Sequence, residues 1–141
     1  MTGALIIDTG PIVAFLDHRD RHHDWAKTWF KETRSTFLTC EAVITEACFL
    51  LRKVPGLEGK VMDFVTRGVF VIGFRLEDEA SAVAKLMERY ANVPMSLADA
   101  CLVRMAELYD PCRLLTLDGD FRVHRKQGKV PIAAILPEDR V

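Results

Sequence analysis

The apolar positions of this chain alternate between short runs and longer stretches with helical spacing. The first run, "ALII", is short, branched and apolar on both faces, which is typical of a buried strand. The stretch "CEAVITEACFLLRK" instead repeats apolar residues every three to four positions, which indicates a helix packed on one face. Predicted strands cover residues 4–8, 35–39, 69–74, 113–117 and 132–136. Predicted helices cover residues 11–17, 21–33, 40–53, 57–67, 76–91 and 96–110.

The alternation of strands and helices predicts the fold class. Apolar strands separated by helices form a mostly parallel α/β sheet that is covered on both faces. Pro11 suits the first position of a helix, with Thr9 or Gly10 as its cap. Gly68 follows the fourth predicted helix, where a left-handed residue commonly ends a helix. No internal repeat or linker interrupts the pattern, so we expect one domain.

Composition narrows the class of protein. The chain has 141 residues, half of them hydrophobic and 28% charged, which is typical of one globular domain and excludes a disordered chain. No apolar run approaches the ~18 residues of a membrane span, so we expect a cytoplasmic protein without a membrane partner. The four cysteines form no C-x-x-C pair and are interpreted as buried thiols rather than zinc ligands. The net charge of −1 argues against nucleic-acid binding by bulk charge alone.

Four acidic residues fall at or near the predicted carboxyl ends of strands, where parallel α/β folds bind ligands. Asp8 ends the first strand and Asp118 follows "RLLTL". Asp99 lies in the first turn of its helix, and Glu46 lies within two turns of the helix after "STFLT". Four carboxylates at ~6 Å repel by roughly 3 kcal/mol per pair at an effective dielectric of 20, so such a cluster holds protons or binds cations. Oxygen ligands without nearby His or Cys favour Mg²⁺ or Mn²⁺.

Each of these acids also has a structural explanation. Asp8 can cap the first helix, and Asp118 can belong to an ordinary aspartate turn. Ser96 and Asp99 have the spacing of a capping box. Glu46 lies at the edge of an apolar stripe, where a buried carboxylate needs a compensating partner.

Taken together, the stretches "LIIDTG", "VITEA", "MSLADA" and "LLTLDGDF" resemble the PIN-domain family, and most closely its small VapC-type toxins. The resemblance covers about residues 4–136 and implies a single PIN-like domain over residues 1–141, built as a three-layer α/β/α sandwich with a central, mostly parallel sheet. It implies a Mg²⁺-dependent endoribonuclease that is the toxin of a type II toxin–antitoxin pair. RNA is then the substrate, an antitoxin protein is a partner, and the toxin forms a homodimer.

The resemblance also assigns roles to residues. It implies that Asp8, Asp99 and Asp118 bind the metal and that Glu46 binds it or orients the attacking water. The candidate accessory residues are Asp120, Thr9 and Thr116. The two threonine hydroxyls could hydrogen-bond to the carboxylates or to the scissile phosphate. The candidate RNA-binding residues are Arg122, Arg125 and Lys126, with Arg19 and Arg21 as additions. The alternative for this basic segment is an ordinary solvated loop, and His18, His22 and His23 are expected to be solvated.

The sequence fits several other functions less well than a PIN-type ribonuclease. An aspartic protease also uses D-T-G, but its fold is made of β-hairpins, and this chain holds one D-T-G and is mostly helical. A haloacid dehalogenase phosphatase needs D-x-D on the first strand, where this chain has Asp8-Thr9-Gly10. P-loop and dinucleotide-binding glycine motifs are absent from the sequence. The alternatives that stay open are a PIN nuclease that is not a toxin and a PIN-like module that binds RNA or protein without catalysis.

Overall fold

A computed structural model describes residues 3–33, 36–93 and 95–137. Its strands are β1 (Ala4–Ile7), β2 (Phe37–Leu38), β3 (Phe70–Val71), β4 (Cys112–Leu115), β5 (Arg125–Lys126), β6 (Val130–Pro131) and β7 (Ala134–Ile135). Its α-helices are α1 (Thr9–Leu16), α2 (His23–Glu32), α3 (Glu41–Leu51), α4 (Leu57–Thr66), α5 (Leu76–Arg89) and α6 (Leu97–Leu108). A 3₁₀ helix, η1, covers Gly119–Arg122.

Five of these strands form one parallel sheet in the order β3-β2-β1-β4-β7. The central strand β1 pairs with β4 along its whole length, so that Ile7 lies opposite Leu115. The side chains of both residues are fully buried, because helices cover both faces of the sheet. The predicted α/β/α architecture with a mostly parallel sheet is confirmed. No helix in the described segments is long and apolar enough to cross a bilayer.

The six predicted helices are all present, with ends that differ by a few residues. The prediction for the start of α1 is wrong: the helix begins at Thr9, and Asp8 is its N-cap. Asp8 has an extended backbone and its carboxylate accepts the Thr9 amide proton, which is the geometry that a cap requires. Gly68 has φ of +78° directly after the end of α4, as predicted. The predicted strands are longer than those observed, and residue 35 of the second one lies outside the described residues.

The sequence did not predict η1 or the antiparallel hairpin of β5 and β6. Three residues connect the paired strands, and two of them, Gln127 at φ +54° and Gly128 at φ +75°, have left-handed backbone. Contacts with the end of α6 hold it: Lys126 Nζ lies 2.6 Å from Asp110 Oδ1, and Gln127 N donates to Glu107 Oε2 at 2.6 Å. These contacts join distant parts of the chain, so the local pattern of "HRKQGKV" does not reveal them.

Candidate active site

The four predicted acids line one open cleft at the carboxyl edge of the sheet, with a volume of about 250 Å³. They come from four elements: the end of β1, the middle of α3, the first turn of α6 and the loop after β4. The parallel pairing of β1 with β4 brings the first and last of them together, since both follow paired strands. The lining residues are Asp8, Thr9, Gly10, Glu46, Leu50, Asp99, Leu117 and Asp118.

Asp8 is the most buried of the four acids, with 7% of its surface exposed. Its Oδ1 accepts a hydrogen bond from Thr9 N at 2.7 Å, and its Oδ2 accepts one from Thr116 Oγ1 at 2.7 Å. The pKa of Asp8 is raised from its ordinary value of 3.8 to about 6, mainly by burial and to a smaller extent by the negative charges of Asp99 and Glu46, against the lowering effect of the two hydrogen bonds. The cleft therefore holds a carboxylate whose charge the protein alone does not compensate.

Thr116 connects Asp8 with Asp118. Its hydroxyl donates to Asp8 and accepts a hydrogen bond from Asp118 N at 2.9 Å, and its side chain is fully buried. Asp118 Oδ1 in turn accepts the Asp120 amide proton at 2.9 Å and caps η1. Asp120 is not among the residues that line the cleft. Its contact with the site is thus a backbone one, and a catalytic role for its carboxylate stays a prediction.

Glu46 reaches the site through Thr9. Thr9 Oγ1 donates a hydrogen bond of 2.6 Å to Glu46 Oε1, while the Thr9 amide binds Asp8. Glu46 is exposed, so the expectation that this carboxylate carries a burial penalty is wrong. The edge of the apolar stripe on α3 borders the open cleft rather than the core, and water reaches the carboxylate there.

Asp99 combines a cap with a place in the cleft. Its amide donates to Ser96 Oγ at 3.1 Å, and its Oδ2 accepts the Ser96 amide proton at 3.1 Å, which completes a capping box. Burial raises the pKa of the half-buried Asp99 carboxyl, and the charge of Asp118 raises it too. Asp99 can therefore cap α6 and also contribute to the acidic site, because the capping hydrogen bond uses only Oδ2 of its carboxylate.

The cleft suits a hard divalent cation by its chemistry. Within the part of the chain that the structure describes, its lining includes four carboxylates and Thr9, whose amide and hydroxyl both donate hydrogen bonds, and it includes no Lys or Arg. Across residues 3–33, 36–93 and 95–137, no group of three or more His, Cys, Asp or Glu side chains is already arranged to hold a metal ion. The chemistry of the donor set, four carboxylates without a lining histidine or cysteine among the described residues, fits Mg²⁺ or Mn²⁺.

The predicted RNA-binding residues Arg122, Arg125 and Lys126 lie at the end of η1 and in the hairpin, and they make protein contacts. Lys126 pairs with Asp110, and Arg125 Nη1 donates to the main-chain oxygens of Arg122 at 2.6 Å, Val123 at 3.1 Å and His124 at 3.2 Å. These contacts fasten η1 and the hairpin, and RNA binding by these side chains stays a prediction.

Sequence reasoning missed Gly10, Leu50 and Leu117 as parts of the cleft wall. Gly10 lies close to Leu117: a Cβ built on the glycine falls 2.9 Å from Leu117 Cγ. The available signal was the glycine itself, directly after Asp8-Thr9 at a helix start, where a missing side chain permits close approach.

Comparison with known proteins agrees with this architecture. The fold and the acidic cleft define an α/β protein whose polar site lies at the carboxyl edge of a parallel sheet. The family model of the PIN domain matches residues 5–127, and the chain belongs to the PIN-domain family. Among solved structures, it is similar to VapC20 of Mycobacterium tuberculosis, described as a toxin that cleaves the sarcin–ricin loop. The two are 19% identical with a TM-score of 0.74, over 92% of this chain and 99% of the other. A search of curated proteins found no match.

Proposed function

We propose that this protein is a divalent-cation-dependent endoribonuclease that hydrolyses RNA phosphodiester bonds, and that it is the toxin of a type II toxin–antitoxin pair. The observation that carries the proposal is the cleft itself, in which the buried Asp8 lies with three other carboxylates and, among the lining residues that the structure describes, with no Lys or Arg. Membership of the PIN-domain family and the likeness in fold to a toxin that cleaves RNA support it.

Asp8, Asp99 and Asp118 are the residues that would hold Mg²⁺ or Mn²⁺. A bound divalent ion supplies the Lewis acidity that activates water and neutralises charge on the phosphate oxygens. Asp8 is held ready for this role because Thr9 and Thr116 fix both of its oxygens. The burial of Asp8 also favours cation binding, because a desolvated carboxylate is stabilised more by a nearby cation than a hydrated one is.

Glu46 positions the attacking water and accepts its proton. Its Oε1 is tied to Thr9 at 2.6 Å, so its orientation is set. Oε2 is left to accept a hydrogen bond from water, and the exposure of Glu46 on the open side of the cleft gives that water access. The described residues that line the cleft include no histidine, so the base in this scheme is a carboxylate.

The proposal is tested with purified protein, a mixed-sequence single-stranded RNA and gel analysis of the products. We expect cleavage with Mg²⁺ or Mn²⁺, none with EDTA, and a loss of at least 100-fold in Asp8→Asn and Asp99→Asn. Asp63→Asn is the matched control, because Asp63 forms an exposed pair with Arg67 on α4 and does not line the cleft. Cleavage that survives EDTA and Asp8→Asn would refute a metal-dependent mechanism at this site.

The toxin and partner parts of the proposal need separate measurements. Growth arrest on expression, relieved by a protein encoded next to this gene, supports the toxin assignment. Cleavage without growth arrest favours the alternative of a PIN nuclease that is not a toxin. RNA binding without cleavage in any divalent ion favours a non-catalytic binding module. Light scattering of the purified protein tests the predicted homodimer.

A further inference from the structure

A second, larger cavity adjoins the acidic cleft. Its volume is about 470 Å³, and it is lined by Arg21, His22, Leu117 and Pro137. Leu117 also lines the acidic cleft, so the two spaces are separated by the width of one side chain. Among the residues that the structure describes, the two linings differ in charge: the ionisable groups of the first are carboxylates, and those of the second are a guanidinium and an imidazole.

Hydrogen bonds and an ion pair within the loop between α1 and α2 hold its conformation, and its two aspartates, Asp17 and Asp20, accept them. Asp17 pairs with Arg19, with Arg19 Nε at 3.2 Å from Asp17 Oδ1. Asp20 Oδ1 accepts the His22 amide proton at 2.8 Å, and its carbonyl accepts that of His23 at 3.0 Å. The backbone on both sides of Arg21 is therefore held in place.

Arg21 itself is left available. Among the residues that the structure describes, its guanidinium has no ion-pair or hydrogen-bond partner, in contrast to that of Arg19. His22 is the N-cap of α2, where its side chain makes no capping bond, and it lines the cavity with Arg21. An imidazole offers at least one N–H donor in either protonation state, and a guanidinium offers five.

We infer that this cavity, the Arg21 subsite, binds an RNA backbone phosphate next to the phosphate that lies at the acidic cleft. The inference rests on the proposed function. A polyanion entering a cleft of four carboxylates meets repulsion on every phosphate except the one that faces the cation. An arginine one side chain away offsets that repulsion for the neighbouring phosphate, and guanidinium geometry suits phosphate oxygens. Leu117 between the two spaces separates the two phosphates and sets the path of the strand.

The subsite acts on binding rather than on chemistry, which gives it a distinct signature. Removing one phosphate contact lowers affinity for all sequences alike and reduces the salt dependence of binding to a single strand by roughly 0.7 in the log–log slope. A contact made equally in the ground state and the transition state raises KM and leaves kcat unchanged.

The test compares Arg21→Ala with Arg67→Ala. Replacing Arg67 removes the same charge from a side chain that is 60% exposed, pairs with Asp63 of α4 and does not line the cavity. Binding of a fluorescently labelled single-stranded RNA is measured by anisotropy in EDTA at several salt concentrations, and cleavage is measured with Mg²⁺. We expect Arg21→Ala to weaken binding and raise KM about 5- to 10-fold with unchanged kcat. We expect Arg21→Lys to recover part of the loss and Arg67→Ala to match the wild type.

A modified substrate locates the contact. Neutral methylphosphonate linkages are placed one at a time on either side of the cleaved bond. At the linkage that occupies the subsite, neutralisation weakens the wild type but adds nothing to Arg21→Ala. Equal behaviour of Arg21→Ala and Arg67→Ala, or a fall in kcat at constant KM, would overturn the subsite while leaving the nuclease intact. A wild-type protein that cleaves no RNA would instead overturn the proposed function.

Discussion

Replacing Asp8 by Asn is expected to stabilise the metal-free protein while abolishing activity. The Asn side chain keeps the shape of Asp and retains an oxygen to accept the Thr9 amide proton. It removes a negative charge that is buried beside Asp99 and Glu46, whose charges raise the pKa of Asp8. Without a cation, that charge is a cost of folding, and the substitution relieves it.

The size of the effect follows from linkage. Burial raises the pKa of Asp8 from 3.8 to about 6, and a tenfold change in proton affinity corresponds to about 1.4 kcal/mol, so ionised Asp8 lowers the free energy of unfolding by about 3 kcal/mol at pH 7.5. The Thr116 hydroxyl loses its acceptor in the variant, and this loss lowers the free energy of unfolding by about 1 kcal/mol. The net gain is about 2 kcal/mol, or about 6 °C in Tm for a domain of this size.

The sign of the pH dependence is opposite to that of a salt-bridged aspartate. The folded state binds the proton more tightly than the unfolded state does, so this contribution to stability is fully present below the unfolded pKa near 4. It is lost as the pH rises through the folded pKa of about 6. The difference between Asp8→Asn and the wild type should therefore shrink by about 1 kcal/mol between pH 7.5 and pH 5.

Urea unfolding in EDTA at the two pH values measures this difference directly. Using the variant as reference removes the pH dependence that other groups contribute equally to both proteins. Mg²⁺ should raise the Tm of the wild type and leave that of Asp8→Asn nearly unchanged, because a ligand stabilises only the state that binds it. A variant that is less stable than the wild type at pH 7.5 in EDTA would contradict the reasoning.

Two further predictions concern the walls of the cleft. Thr116→Val removes the hydroxyl that donates to Asp8, so we expect a loss of about 1–2 kcal/mol in urea unfolding and about a tenfold drop in cleavage rate, with Thr116→Ser close to the wild type. Gly10→Ala puts a Cβ 2.9 Å from Leu117 Cγ, so we expect lower activity and about 1 kcal/mol less stability, whereas Gly59→Ala inside α4, with nothing within 4 Å, should stabilise by roughly 0.5–1 kcal/mol. Equal effects of the two glycine substitutions would count against the close contact.

The sequence predicts most of the fold because periodicity is a local property. Each of the six helices has apolar residues at helical spacing, and most of their ends carry recognisable signals such as Ser96 before α6 and Gly68 after α4. The start of α1 was misplaced because Thr9 and Gly10 also suit a cap, and only the geometry shows that Asp8 fills that position. The hairpin was missed because pairs between distant residues hold it, as between Lys126 and Asp110.

The sequence predicts which acidic residues line the cleft, but it does not predict the hydrogen bonds that connect their side chains. Asp8 and Asp118 each follow a predicted strand. The carboxyl ends of parallel strands lie at one edge of a sheet, so the sequence places both acids at that edge. The hydroxyl of Thr116 between them and the bond from Thr9 to Glu46 depend on side-chain positions that no spacing along the chain specifies. The cavity of Arg21 likewise exists only once the α1–α2 loop lies against Leu117.

The hydrogen bond from Thr116 to Asp8 spans 108 positions of the chain. During synthesis, Asp8 therefore leaves the ribosome long before Thr116 and Asp118 do. The acidic cleft cannot assemble on a growing chain until both of these later residues have emerged, and up to that point the site proposed to cleave RNA is incomplete.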